Sequence, residues 1–346
     1  MDSATKIDIS PKCLKKLLAM AFPHERVVGE RELTDGYCNR AYWIDFSTRD
    51  PVVLKAGPPE GTPMLRYEKD LIRREAQALQ WTAKNTDVPV PKVLWEDYSC
   101  TELAGHYLFM EALEGVPYNT VKTGLIKKRG IKSVEYALGA MVKQLNSHKG
   151  KGFGYPHGLC ENWYEAICTM FGWLLDDAED YSIPLPVERK DFITTLLHLR
   201  PILDEVKEPR FVHWDLWPGN VMIRPQNTQR KSLQYASFSP KWWKENWEVS
   251  GLFDFERVLW ADPLMEYNFG HEYPRHYFCQ GYGEFSRLNS HEKLRRSLYD
   301  LYHLLVINVE DGPRKYGVKD FHQHFGALLM THWKKLQQEM AKAGLL

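Results

Sequence analysis

Apolar and polar positions alternate along the first third of the chain, and helical periodicity replaces alternation in most of the rest. Leu14, Leu17, Leu18 and Ala21 recur at helical spacing and predict a short amphipathic helix within residues 1–29. Over residues 31–46, apolar positions flank a Thr34-Asp35-Gly36 turn, as in a β-hairpin with a polar tip. Residues 52–56 read as a third strand that carries Lys55 near its far end, and a Gly/Pro-rich loop follows over 57–63. Helical spacing returns from about 65 to 85, with Ala78, Leu79 and Trp81 on an apolar face and Glu68 and Glu75 among the acidic positions. Residues 88–94 are held extended by their prolines. Residues 107–111 form a strand, and Gly115 is a natural hinge. Helices are expected over 133–148, in two or three pieces over 160–204 with a break near 182–186, and again over 290–310 and 318–342. The layout is α+β: a β-rich N-terminal lobe over 1–111 and a mainly helical C-terminal lobe over 112–346.

Composition changes this picture little. A chain of 346 residues with 44% apolar and 26% charged positions can bury a substantial core. Lys+Arg and Asp+Glu both number 45, so no global field points to nucleic acid or to an anionic membrane. Six scattered cysteines without a Cys-x-x-Cys pair argue against structural zinc and a disulfide framework. No stretch approaches the apolar length of a membrane helix, and a cytoplasmic setting is the expectation.

Two apolar runs carry the chemistry. In residues 211–223, a strand-like run enters a polar loop with His213, Trp214, Asp215 and Asn220, then returns to an apolar run. In residues 249–256, a second run ends on Asp254. Singly, Asp215 and Asn220 read as turn formers and Asp254 as a cap. Together they suit phosphoryl transfer, in which one Asp orients an attacking hydroxyl while an Asn and a second Asp hold magnesium on nucleotide phosphates. Lys55 fits a point charge that reaches those phosphates, held by a carboxylate on the following helix, with Glu75 preferred to Glu68.

These residues resemble the aminoglycoside phosphotransferase and choline-kinase-like branch of the protein-kinase-like fold. The likeness runs over roughly 30–275 and includes Asn39, Lys55, Glu75, Met110-Glu111, the 211–223 segment, and Asp254-Phe255-Glu256 through Ala261-Asp262-Pro263. It implies a two-lobed kinase that binds ATP, or GTP in its place, between the lobes. It further implies Asp215 as catalytic base and Asn220 and Asp254 as Mg2+ ligands. Met110, Glu111 and Ala112 would line the adenine pocket through backbone groups. Phosphate cover would come from Thr34, Gly36, Asn39 and backbone amides, since the tip lacks a Gly-x-Gly-x-x-Gly loop. Protein kinases proper match less well, because Asp254-Phe255-Glu256 replaces Asp-Phe-Gly. His213 resembles the histidine that braces the catalytic loop.

Several positions depart from the pattern or bear on the acceptor. Trp214 stands where most relatives place Gly; its ring either narrows the substrate mouth or packs under the loop. Residues 224–248 form a long insertion, read as a lid, a partner surface or a tolerated surface loop. Asp262 and Glu266 are helix caps or, by resemblance, lie near the acceptor. The acidic run over 174–181 is a solvated helix face or an attraction for a polycationic acceptor. Tyr267, Phe269, Tyr273, Tyr277 and Phe278 are core aromatics or a surface for a sugar or an ammonium group. The reading is an ATP-dependent phosphotransferase acting on a hydroxyl of a small molecule, an aminoglycoside-like or amino-alcohol acceptor. The alternative is a catalytically silent nucleotide-binding regulator.

Overall fold

The hairpin expected from residues 31–46 is longer than its sequence signal. In the computed structural model, which describes residues 3–34, 36, 38–121, 128–226, 246–270 and 275–346, strand β1 (Val27–Leu33) pairs antiparallel with β2 (Arg40–Phe46). Strands β3 (Val52–Ala56), β4 (Val93–Asp97) and β5 (Tyr107–Glu111) complete a five-stranded sheet in the order β1-β2-β3-β5-β4. Helix α1 (Pro11–Ala21) is capped by Ser10, whose side chain accepts from the Cys13 N–H. Its Leu14, Leu17 and Leu18 join Ile44, Leu54 and Phe109 of the sheet in one buried cluster. Phe22 meets Phe46 and Phe109 edge-on, with ring centroids 5.2 Å apart in both pairs.

Helix α2 (Leu71–Asn85) starts later than residue 65, where its periodicity begins. Asp70 sits in the left-handed region at φ 54°, which no α-helix tolerates. The residues just before it turn instead into a buried polar network. Glu68 pairs with Arg314, and the Tyr67 hydroxyl donates to Glu310 at 2.7 Å. Glu68 is thereby taken by Arg314, leaving Glu75 as the carboxylate of α2 proper.

Two compact units make up the chain. The first comprises residues 1–63, 70–134 and 216–257; the second comprises 64–69, 135–215 and 258–346. Besides the five-stranded sheet, the first unit holds a small sheet of β6 (Val116–Pro117), β8 (Val221–Pro225) and β9 (Trp247–Leu252), with β8 in the middle. Gly115, at φ 106°, makes this approach workable: a Cβ there would stand 2.1 Å from the Ile223 carbonyl oxygen. Helix α3 (Lys128–Asn146) begins in this unit and ends in the other.

The second unit is mainly helical, with α4 (Trp163–Asp180), α5 (Arg189–Leu203), α6 (Arg275–Tyr282), α7 (Ser290–Arg314) and α8 (Phe321–Lys342). Its short strands β7 (Arg210–Val212) and β10 (Leu259–Ala261) pair antiparallel. Asn289 and Glu292 form a capping box that starts α7. No helix among the described residues is long and apolar enough to cross a membrane. Most of the 224–248 insertion, residues 227–245, lies outside the described residues; its two ends continue β8 and begin β9.

Candidate active site

In the first unit, β3 presents Lys55 to α2. Its ammonium stands 2.6 Å from Glu75, 2.5 Å from Asp254 and 3.0 Å from Glu256. Glu75 is fully buried and Asp254 is half-buried. The three carboxylates are close enough together to hold a cation, and the Lys55 ammonium is the cation they share. Burial alone would lower the Lys55 pKa, but Asp254, Glu256 and Glu75 together raise it well above the ordinary lysine value. Burial pushes Glu75 up to about 7 against the pull of Lys55, whose charge is divided among three partners.

Asn220 and Asp254 leave neighbouring strands at the same end. Val221 of β8 pairs with Leu252 of β9, and one step further the Phe253 N–H donates to the Asn220 carbonyl at 3.2 Å. Asp254 adopts φ 65°, a turn that a β-strand cannot make and that ends β9. Asn220 is buried in the one-turn 3-10 segment Pro218–Asn220.

At the hairpin tip, Asn39 is buried and its amide nitrogen donates to Glu256 at 2.5 Å. Thr34 and Gly36 are exposed, and Asp35 and Tyr37 lie outside the described residues. In β5, Met110 is buried and Glu111 exposed. The backbone N–H of Glu111 donates to the Lys92 carbonyl at 2.9 Å, and that of Ala112 to the Pro51 carbonyl at 3.2 Å. These two N–H groups are engaged within the chain.

In the second unit, β7 runs into the loop of His213, Trp214 and Asp215. Asp215 is half-buried, and its N–H donates to His213 Nδ1 at 3.3 Å. Trp214 adopts φ 67°, the left-handed region that favours glycine. The ring is 3% exposed and packs against Tyr302, His303, Tyr67 and Tyr155 at centroid distances of 5.5–6.5 Å. Of the two readings of Trp214, the ring packed under the loop is the one this burial supports.

Glu266, fully buried, braces that loop from behind. It accepts from the N–H of His213 at 3.0 Å, the N–H of Trp214 at 2.9 Å and Asn146 Nδ2 at 3.0 Å. Asn146 also donates to the Phe211 carbonyl at 2.7 Å and accepts from the Tyr282 hydroxyl at 3.0 Å. Burial pushes Glu266 up to about 7, although the two backbone donors, Asn146 and Arg296 all oppose the shift. Asp262 is similarly committed: it accepts from Arg295 and from the Tyr299 hydroxyl, each at 2.8 Å, and from the Leu264 N–H at 3.1 Å. The expectation that Asp262 and Glu266 approach an acceptor is therefore revised, because both carboxylates are buried and engaged within the chain.

The acidic run near the end of α4 is not an open anionic surface. Arg66 pairs with Asp177 and Asp180, and Arg189 with Asp176 and Glu179. Phe269 and Phe278 are core residues, 5.2 Å apart and edge-on. Tyr273 lies outside the described residues. Glu256 contributes to the Lys55 cluster although sequence reasoning does not single it out as a site residue; its position two residues after Asp254 is the available signal.

Known proteins support the same architecture. A model described as the phosphotransferase enzyme family matches residues 29–231. Comparison with curated proteins gives no match. Among solved structures, the chain is similar to a putative aminoglycoside phosphotransferase from Ralstonia eutropha JMP134, with a TM-score of 0.62 at 11% identity over 96% of this chain and 99% of that one. It is similar to wild-type aminoglycoside 2'-phosphotransferase-IIIa in its GDP complex, with a TM-score of 0.58 at 14% identity over 95% and 98%. A third likeness is to APH(2")-IIa in a ternary complex with streptomycin and ATP, with a TM-score of 0.58 at 12% identity over 94% and 97%. At these identities the likenesses carry the α+β kinase-like fold. With the family model spanning more than half its length, the chain belongs to the phosphotransferase enzyme family.

Proposed function

We propose that this chain transfers the γ-phosphoryl group of ATP, or of GTP in its place, to a hydroxyl of a small molecule. The observation that carries this reading is the set of buried Lys55, buried Glu75 and half-buried Asp254, with Asn220 at the adjoining strand end. A lysine held among carboxylates suits contact with nucleotide phosphates, whose negative charge it offsets. Asn220 and Asp254 offer oxygen donors, which fit a hard cation such as Mg2+. Bound there, the ion would neutralise charge developing on the phosphates. Asp215 would orient the acceptor hydroxyl and take its proton late, and most of the acceleration would come from positioning and electrostatics. We read Trp214, Asp262 and Glu266 as supports of the loop and its surroundings rather than as acceptor contacts. Asn39, Thr34 and Gly36 keep the role of phosphate cover only as a proposal.

For the acceptor, an aminoglycoside-like or amino-alcohol compound remains our first class to test. Pairing of the α4 carboxylates with Arg66 and Arg189 weakens the electrostatic argument for a polycation. It leaves small hydroxylated amines of lower charge at least as well supported. The presence of Lys55, Asp215, Asn220 and Asp254 together favours an enzyme over a silent regulator. The test is a transfer assay with MgATP and MgGTP over a panel of hydroxyl-bearing amines, read by mass for gain of one phosphoryl group. Nucleotide binding with no transfer and no nucleotide hydrolysis would favour the regulator.

A further inference from the structure

One oxygen of Glu256 links two elements that the proposed reaction uses. Oε2 accepts from Asn39 Nδ2 at 2.5 Å and stands 3.0 Å from Lys55 Nζ. Asn39 lies at the end of the hairpin tip, Lys55 on β3, and Glu256 in the 3-10 turn Phe255–Arg257 that follows Asp254. Glu256 is 5% and Asn39 7% exposed, so solvent is poorly placed to replace either contact. The carboxylate can only accept, which assigns the Asn39 amide: its nitrogen must face Glu256, since a flipped amide would set two oxygens against each other. That choice leaves Asn39 Oδ1 buried with no hydrogen-bond partner among the described residues. A buried carbonyl in that state is costly enough to need a reason. A hydroxyl or amino donor of a bound nucleotide would supply one, since the phosphates themselves only accept.

The Lys55 ammonium has three N–H groups and three carboxylates around it. A phosphate can reach it only if one carboxylate gives way. Asp254 is the most exposed of the three, with 27% of its side chain accessible against 7% for Glu256 and 0% for Glu75. Exchange of Asp254 therefore leaves Lys55 held by Glu75 and Glu256. We propose that Glu256 is a positioning residue for nucleotide binding, which holds the Asn39 amide and Lys55 in register through a single carboxylate oxygen. This rests on the nucleotide reading of Lys55 given above, and it assigns Glu256 no contact with the reacting atoms.

The test uses the full chain as wild type, Glu256→Ala, Asn39→Ala and the double variant, with Glu256→Gln standing in should Glu256→Ala not fold. The first arm needs no nucleotide. Pulse acetylation with acetic anhydride, read by mass spectrometry, should label Lys55 several-fold faster in the Glu256 variant, measured against the exposed Lys84 and Lys190. An unchanged rate overturns the link to Lys55. The second arm measures the KM for MgATP, which should rise about tenfold in each single variant and exceed any loss of kcat. In the double variant it should rise no further than in the weaker-binding single, because Glu256→Ala already removes the bond that Asn39→Ala removes. Effects that multiply, or a kcat loss at unchanged KM, overturn the positioning role. If the wild type itself binds no MgATP, the functional reading falls, while the labelling arm still decides whether Glu256 restrains Lys55.

Discussion

The Glu266 carboxylate accepts a hydrogen bond from the backbone N–H of Trp214 at 2.9 Å, which ties a fully buried acid to the residue just before Asp215. Its other oxygen takes the His213 N–H, so the loop is held by two adjacent backbone donors rather than by side chains. A carboxylate matches two N–H donors; an amide presents an N–H₂ to one of them.

This arrangement predicts an inverted pH dependence. Burial raises Glu266 from 4.5 to about 7, so between those values the folded chain holds a proton that the unfolded chain has released. Stability from this group is full below the unfolded value and is lost as pH rises to about 7, with a slope of about 1.4 kcal/mol per pH unit. Urea unfolding of wild type and Glu266→Gln should show a stability difference that shrinks by roughly 2–3 kcal/mol between pH 5 and pH 7.5. A difference that does not change with pH would contradict the assignment.

Trp214→Gly trades two effects of opposite sign. Glycine relieves the left-handed backbone by about 1–2 kcal/mol. Loss of the buried ring among Tyr302, His303, Tyr67 and Tyr155 costs about 3–5 kcal/mol. The variant should be less stable by roughly 2–3 kcal/mol in urea, while its nucleotide affinity stays close to that of wild type. A stabilised variant would mean that the ring packs less tightly than its burial implies.

Replacing Lys55 with Met leaves Glu75, Asp254 and Glu256 facing one another without their cation. Breaking such a buried arrangement costs about 3–5 kcal/mol. Burial already raises Glu75 and removal of the ammonium raises it further, so the variant should recover stability as pH falls and Glu75 protonates. Thermal unfolding at pH 5 and pH 8 checks this: the deficit against wild type should be smaller at the lower pH. A deficit that is equal at both would argue that the three acids do not share the lysine.

Asp215→Asn keeps the shape of the loop and removes the proton acceptor. Turnover should fall by about two to four orders of magnitude, while MgATP affinity, read by titration, should persist. Near-normal turnover would remove Asp215 from its proposed role.

Much of the candidate site was legible because its signals are local. Asp215 and Asn220 share one loop, Asp254 ends one apolar run, and Lys55 sits at the end of a short strand. The choice of Glu75 over Glu68 also followed from helical spacing, and the Lys55–Glu75 pair is formed. What sequence periodicity misplaced was the start of α2, because the left-handed turn at Asp70 and the docking of Glu68 on Arg314 have no local signature. The pairing of the acidic run on α4 with Arg66 was not legible for a related reason: Arg66 lies 110 positions before Asp176, and no window along the chain brings them together.

The amino-acid sequence by itself determined the α+β layout, the family and the identity of the residues proposed for phosphoryl transfer, since these depend on residue type and short-range spacing. Tertiary structure alone decided what each charge meets. It gave Lys55 three carboxylates instead of one, turned Glu266 inward onto the backbone of His213 and Trp214, and packed the Trp214 ring among aromatics. The physical reason is that a buried charge or ring must find partners wherever the fold supplies them, and those partners are set by packing rather than by proximity along the chain.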